Sequence, residues 1–165
     1  MDAAAMPPPA PRDKGSVSKG RVREARIRAP AHLWIVGGLS LLWNAFGCFD
    51  FLMTNVRHSA YIAQLPADMV DYLDAFPAWT VVAWAMGVGF GALGSLLLLA
   101  RSSWATVAFA LSLVGLAGTQ VYQIATGLPD GMNTPMNWGM TALIWALAIG
   151  LLLYAVRMRR RGVLR

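Results

Sequence analysis

Apolar positions in this chain gather into four long stretches, at about 33–53, 78–100, 104–125 and 137–156, parted by short polar segments. Each stretch is long enough to cross a hydrocarbon core, which takes roughly 20 helical residues at 1.5 Å apiece. The pattern predicts an all-α, integral-membrane four-helix bundle over residues 31–157, with a basic, Pro- and Ala-rich tail before it (1–30) that shows no apolar period, and a short basic tail after it (158–165). The first tail reads as disordered.

Two of the intervening segments carry patterns of their own. From Pro66 onward, Met69, Leu73 and Phe76 fall on one helical stripe and Asp68, Asp71 and Asp74 on another, which predicts a short interfacial helix with a solvated acidic face. The three aspartates lack the glycine and terminal glutamate of a calcium-binding loop. The later segment carries the turn chemistry of Pro129-Asp130-Gly131.

Charge then orients the spans. Of fourteen Lys and Arg residues, seven precede the first span, Arg101 lies between the second and third, and five follow the fourth; only Arg57 falls in the remaining two loops. Basic residues resist translocation, so both termini are expected in the cytoplasm of a bacterial inner membrane, with the loops near 54–77 and 126–136 outside. The first span ends in Phe49-Asp50-Phe51-Leu52-Met53 and lacks a small-residue cleavage site, so it is expected to remain as an anchor rather than a removed signal. With 57% apolar and 13% charged residues, the net charge of +6 reads as membrane flanks and not as a nucleic-acid surface.

Chemistry is sparse. The single cysteine, Cys48, excludes an internal disulfide or a Cys-x-x-Cys redox pair. His32 and His58 are separated by the first span and cannot share a haem or metal. No Gly-x-Ser-x-Gly, phosphate-binding loop or His-Glu-x-x-His pattern occurs. The expectation is therefore no catalytic, cofactor or metal site, and no enzyme.

Small residues provide the expected helix contacts, with Ala83, Gly87, Gly91 and Ser95 forming one stripe on the second span and Ala108, Ser112, Gly115 and Thr119 one on the third. The polar candidates are Asn44 and Asp50 on the first span, Gln120, Tyr122 and Gln123 closing the third, and Asn137 opening the fourth, whose face continues through Thr141 to Trp145. Asp50 is the only acidic residue within the spans, and an intramembrane carboxylate is costly enough to mark a functional candidate. Asn44 points about 120° away from it and needs a different partner. These groups are expected either to line an outward-facing polar cavity or to act as interhelical hydrogen-bond glue.

Leu39-Ser40-Leu41 recurs as Leu111-Ser112-Leu113, and each second span begins with Pro and Trp and ends at Arg, which suggests a parallel repeat of two hairpins. The run Trp43-Asn44-Ala45-Phe46-Gly47-Cys48-Phe49-Asp50, continuing to Thr54, with Phe76-Pro77-Ala78-Trp79 opening the next span, resembles a family of small uncharacterised bacterial four-span inner-membrane proteins that often carry the label "sugar transporter". The resemblance covers about residues 32–157 and is most specific across 43–54. It implies the four-span architecture and leans toward transport, with no established mechanism behind the label. The functional expectation is a small transporter-like or membrane-accessory protein acting near the outer face on a small polar ligand, with the bilayer, a homo-oligomer or a larger membrane complex as partners and no nucleic acid. The alternative is a structural subunit docked onto larger membrane partners through its glycine seams.

Overall fold

Prolines set the starts of most helices. In the structure, a computed structural model that describes residues 30–165, α1 (Ala31–Asn55), α3 (Ala67–Asp74) and α4 (Ala78–Leu99) each follow a proline, and α6 (Pro135–Arg160) opens on one. The missing proline N–H is one that a first helical turn leaves unpaired in any case. A four-residue turn of helix, α2 (Ser59–Ile62), and the long α5 (Ala105–Thr126) complete the chain. The expected disordered tail falls outside the described residues, apart from Pro30.

Helix ends follow one rule as well. After α1, α4 and α6 the chain turns through a left-handed residue, Arg57 (φ 53°), Arg101 (φ 60°) and Gly162 (φ 69°). The N–H of the left-handed residue and that of the next bond back into the last turn, as in Arg101 N–H to Leu98 O at 3.0 Å and Ser102 N–H to Leu97 O at 2.8 Å. Glycine takes this conformation freely; an arginine there costs about 1 kcal/mol or more.

Helices α1, α4, α5 and α6 are long and apolar enough to cross a membrane and fit a four-span bundle. At 22 to 26 residues they are roughly 33–39 Å long. The short helix read from Pro66 is present as α3, with its three aspartates exposed and Met69 and Leu73 half-buried.

The two small-residue stripes meet where Ala83 and Gly87 of α4 face Ser112 and Gly115 of α5. An added Cβ at Gly115 of α5 would run into the backbone of Gly87 and Ala83 of α4, and Ser112 Oγ donates to Gly87 O at 2.6 Å. On its other flank α4 receives α1, where Gly37 meets Leu99 and Gly47 meets Val88. Backbones approach this closely only where side chains are small, and such packing replaces the hydrophobic force that is missing between helices in lipid. Helix α6 is the least enclosed of the four, lying against α5 and exposing Leu143, Leu147, Ile149 and Leu153.

One end of the bundle is sealed. Leu33, Leu98, Ala105, Phe109, Ala155 and Met158 form a buried cluster there together with Val163 and Leu164. The basic tail expected at 158–165 is thus the last turn of α6 followed by a hook. Gly162 turns the chain so that the apolar Val163-Leu164 pair tucks inward, and Arg165 pairs with the α4–α5 turn through its N–H to Arg101 O at 2.9 Å and its carbonyl from Ser103 N–H at 2.7 Å. This end carries Arg101, Arg157, Arg159, Arg160, Arg161 and Arg165 and is termed the basic end; the opposite, acidic end carries Asp50, Asp68, Asp71, Asp74 and Asp130.

Candidate functional site

The six candidate polar residues do not converge on one cavity; the structure distributes five of them over three places and leaves Asn137 apart at the start of α6. Asn44 lies midway along α1 and faces α4. Its side-chain N–H groups reach Ser40 O at 2.8 Å and Ser95 Oγ at 3.3 Å, and its amide oxygen fills the space above Gly91 where a side chain would begin. Ser95 Oγ in turn donates to Gly91 O at 2.9 Å. The Asn44 N–H groups and the Ser95 hydroxyl thus have protein partners on α1 and α4, the arrangement of interhelical glue that an amide in lipid provides.

Asp50 lies toward the acidic end of α1 and accepts a hydrogen bond from the phenol of Tyr61 in α2, whose ring also meets Phe49 edge-on at 6.2 Å. That bond to a carboxylate, then burial, then the Asp50 charge itself push the Tyr61 phenol up to about 12. The contact folds the segment after α1 back onto α1. Nearby, Arg57 pairs with Asp74 at the end of α3, and Asp68 at its start accepts Gly131 N–H at 3.0 Å from the α5–α6 loop. Helix α3 is thereby strapped across the acidic end.

Tyr122 serves the same strap from below. It donates to Ala75 O at 3.1 Å and packs among Tyr72, Phe76 and Trp79, with ring centroids 5.1–5.9 Å away. It therefore faces away from the two glutamines on the same turn. Those glutamines form the third place. Trp145 Nε1 donates to Gln120 Oε1 at 3.3 Å, and Gln120 Nε2 donates to Gln123 Oε1 at 3.2 Å, a relay from α6 into α5.

This relay floors an open groove of about 270 Å³ between α5 and α6, walled by Ile124, Leu128, Asn133 and Trp138. A smaller hollow of about 70 Å³ continues from the same glutamines toward the middle of the helices, past Thr119 and Thr141. The Trp138 indole is fixed by its N–H to Asn133 Oδ1 at 2.9 Å. Asn137, at the mouth of α6, has its backbone N–H capped by Thr134 Oγ1 at 3.2 Å. Neither Asp50 nor Asn137 lines this groove.

Family models, curated proteins and solved structures offer no match to the chain. The site therefore has to be read from its own geometry. Sequence periodicity found the glutamines and Trp145 but missed Asn133 and Tyr61, which sit in connecting segments. The available signal was Tyr61 itself, a phenol that a single turn after α1 brings back level with Asp50.

Proposed function

We propose that this multi-pass protein resides in the bacterial inner membrane with both termini in the cytoplasm, and that it is a small transporter-like or membrane-accessory protein taking a small, uncharged polar ligand from the outer side. The observation that carries the reading is the α5–α6 groove. Three amides and a tryptophan wall converge there near the outer ends of spanning helices, two threonines line the hollow that continues from it, and no charged side chain lines either. An amide both donates and accepts, which suits hydroxyl or amide groups, and the Trp138 face suits an apolar one. The basic end, with its six described arginines, supports the orientation.

Screening small neutral polar compounds for stabilisation of the purified protein tests this directly. Gln123→Leu should abolish any stabilisation while leaving the unliganded protein folded, since Gln123 is half-buried at the groove and its amide N–H groups face no acceptor among the described residues. A ligand that stabilises wild type and Gln123→Leu equally would place binding elsewhere. Asp50→Asn tests the other candidate: loss of stabilisation or uptake there, with folding intact, would assign the ligand to Asp50 instead of the groove.

A second reading, an interaction subunit, draws on α6. Gly139 and Gly150 have nothing within 4 Å of an added Cβ, so this helix keeps small residues free of internal packing, whereas the α4 and α5 seams are already occupied. Crosslinking through cysteines placed at these two positions in native membranes would capture such a partner.

A further inference from the structure

The basic end differs from a solvated tail in being built. Val163 and Leu164 are each 4% exposed, and Arg165 is clamped by backbone bonds to both sides of the α4–α5 turn. The end of α6 is consequently held against the body of the protein. Arg157, Arg160 and Arg161 recur there at i, i+3 and i+4, which places them on one face, and all are exposed. No acidic side chain lies at this end among the described residues, and the one ion pair described joins Arg57 to Asp74 at the other end.

Directly along the same stripe of α6, at steps of four residues from Arg157, lie Leu153 and Ile149, exposed by 63% and 43%. The cluster also borders α1, because Tyr154 on the preceding turn meets His32 Nδ1 at 2.6 Å. Trp34 and Trp104, 52% and 66% exposed, lie at the same end, where an aromatic belt meets headgroups.

We propose that this face is a docking surface for anionic phospholipid of the surrounding bilayer, with Arg157, Arg160 and Arg161 engaging the phosphate and the Leu153–Ile149 stripe carrying an acyl chain. Guanidinium groups bind phosphate oxygens in a two-pronged geometry, and basic clusters at a membrane surface attract anionic lipid. The continuous polar-to-apolar stripe selects a lipid over a free anion, since it matches headgroup and chain together. The inference rests on the membrane-spanning reading and is independent of the groove at the opposite end.

The test is native mass spectrometry of the purified chain released from lipid nanodiscs of phosphatidylglycerol or phosphatidylcholine, with thermal unfolding followed in parallel. Wild type should retain phosphatidylglycerol preferentially, and added salt should weaken the retention. Arg→Gln at 157, 160 and 161 should lower affinity about fivefold per residue, ~1 kcal/mol each, or on the order of 100-fold together. Lys at all three should keep most of the preference, and Arg57→Gln all of it. Equal retention of the two lipids by wild type overturns the proposal, as does undiminished phosphatidylglycerol retention in the triple Gln variant. Inorganic phosphate stabilising wild type as strongly as phosphatidylglycerol would show a free-anion site and overturn the lipid assignment. Should the triple Gln variant fail to fold, the wild-type lipid comparison and the triple Lys variant decide.

Discussion

The amide oxygen of Asn44 in α1 occupies the volume that a side chain on Gly91 of α4 would need, while its amide nitrogen bonds Ser95 one turn along the same helix. One glycine thus permits the bundle's central polar contact. Replacing it with alanine should cost about 1–3 kcal/mol through overpacking. Asn44→Ala alone should cost less, about 0.6 kcal/mol and at most ~1.7, the range for hydrogen bonds between helices in lipid. Combined, Asn44→Ala should recover much of the Gly91→Ala loss, because the obstruction is a side chain. A double-mutant cycle of unfolding in mild detergent checks this, and simple additivity would refute it.

Gly115→Ala should behave differently. The added methyl meets the backbone of Gly87 and Ala83, which no side-chain truncation can clear. It should destabilise by about 1–3 kcal/mol or more and stay unrescued by Ser112→Ala. Recovery in that double variant would mean that the α4–α5 approach is looser than the geometry indicates.

Tyr61 provides a pH signature. Its phenol is raised from 10.0 to about 12 in the folded protein, first by the Asp50 hydrogen bond. The folded state holds the proton more tightly, so this contribution to stability is complete below pH 10 and is lost as pH rises from about 10 through about 12. Titration of phenolate absorbance should show one late tyrosine that is absent in Tyr61→Phe and returns toward the ordinary range in Asp50→Asn. An unchanged late component in Asp50→Asn would assign the shift to another cause.

The strap across the acidic end can be opened without unfolding. Gly131 approaches Asp68 so closely that a Cβ there displaces the carboxylate, which is exposed and free to swing away. Gly131→Ala and Asp68→Ala should each speed amide hydrogen exchange in residues 127–134, with a stability loss within about 1 kcal/mol. Asp68→Asn, which retains an acceptor oxygen, should fall between these and wild type. Identical exchange in all four proteins would show that the contact holds nothing in place.

The proposed orientation predicts that reporters active only outside the cytoplasm work when fused after Ala63 and Met132 and fail after Arg101 and Arg161. An active fusion at Arg101 would invert the arrangement, and with it the side from which the groove is reached.

What the sequence determined by itself is whatever depends on local composition and period. The four apolar stretches, the α3 helix after Pro66, the gathering of acids at one end and the use of the Gly87 and Gly115 stripes as packing seams follow from helix length, charge and residue size. What only the tertiary structure decided is which face meets which neighbour. Periodicity placed Asn44 and Asp50 on different sides of α1, yet it took the position of α4 to give Asn44 Gly91 and Ser95, and the path of the chain after Arg57 to give Asp50 Tyr61. It likewise separated Tyr122, under α3, from Gln120 and Gln123, toward α6. The reason is that all faces of a membrane helix are apolar, so hydrophobicity does not mark the inward one. Rotation about the helix axis is settled by close contacts between small residues on different helices, and the pairing of polar groups follows from that rotation.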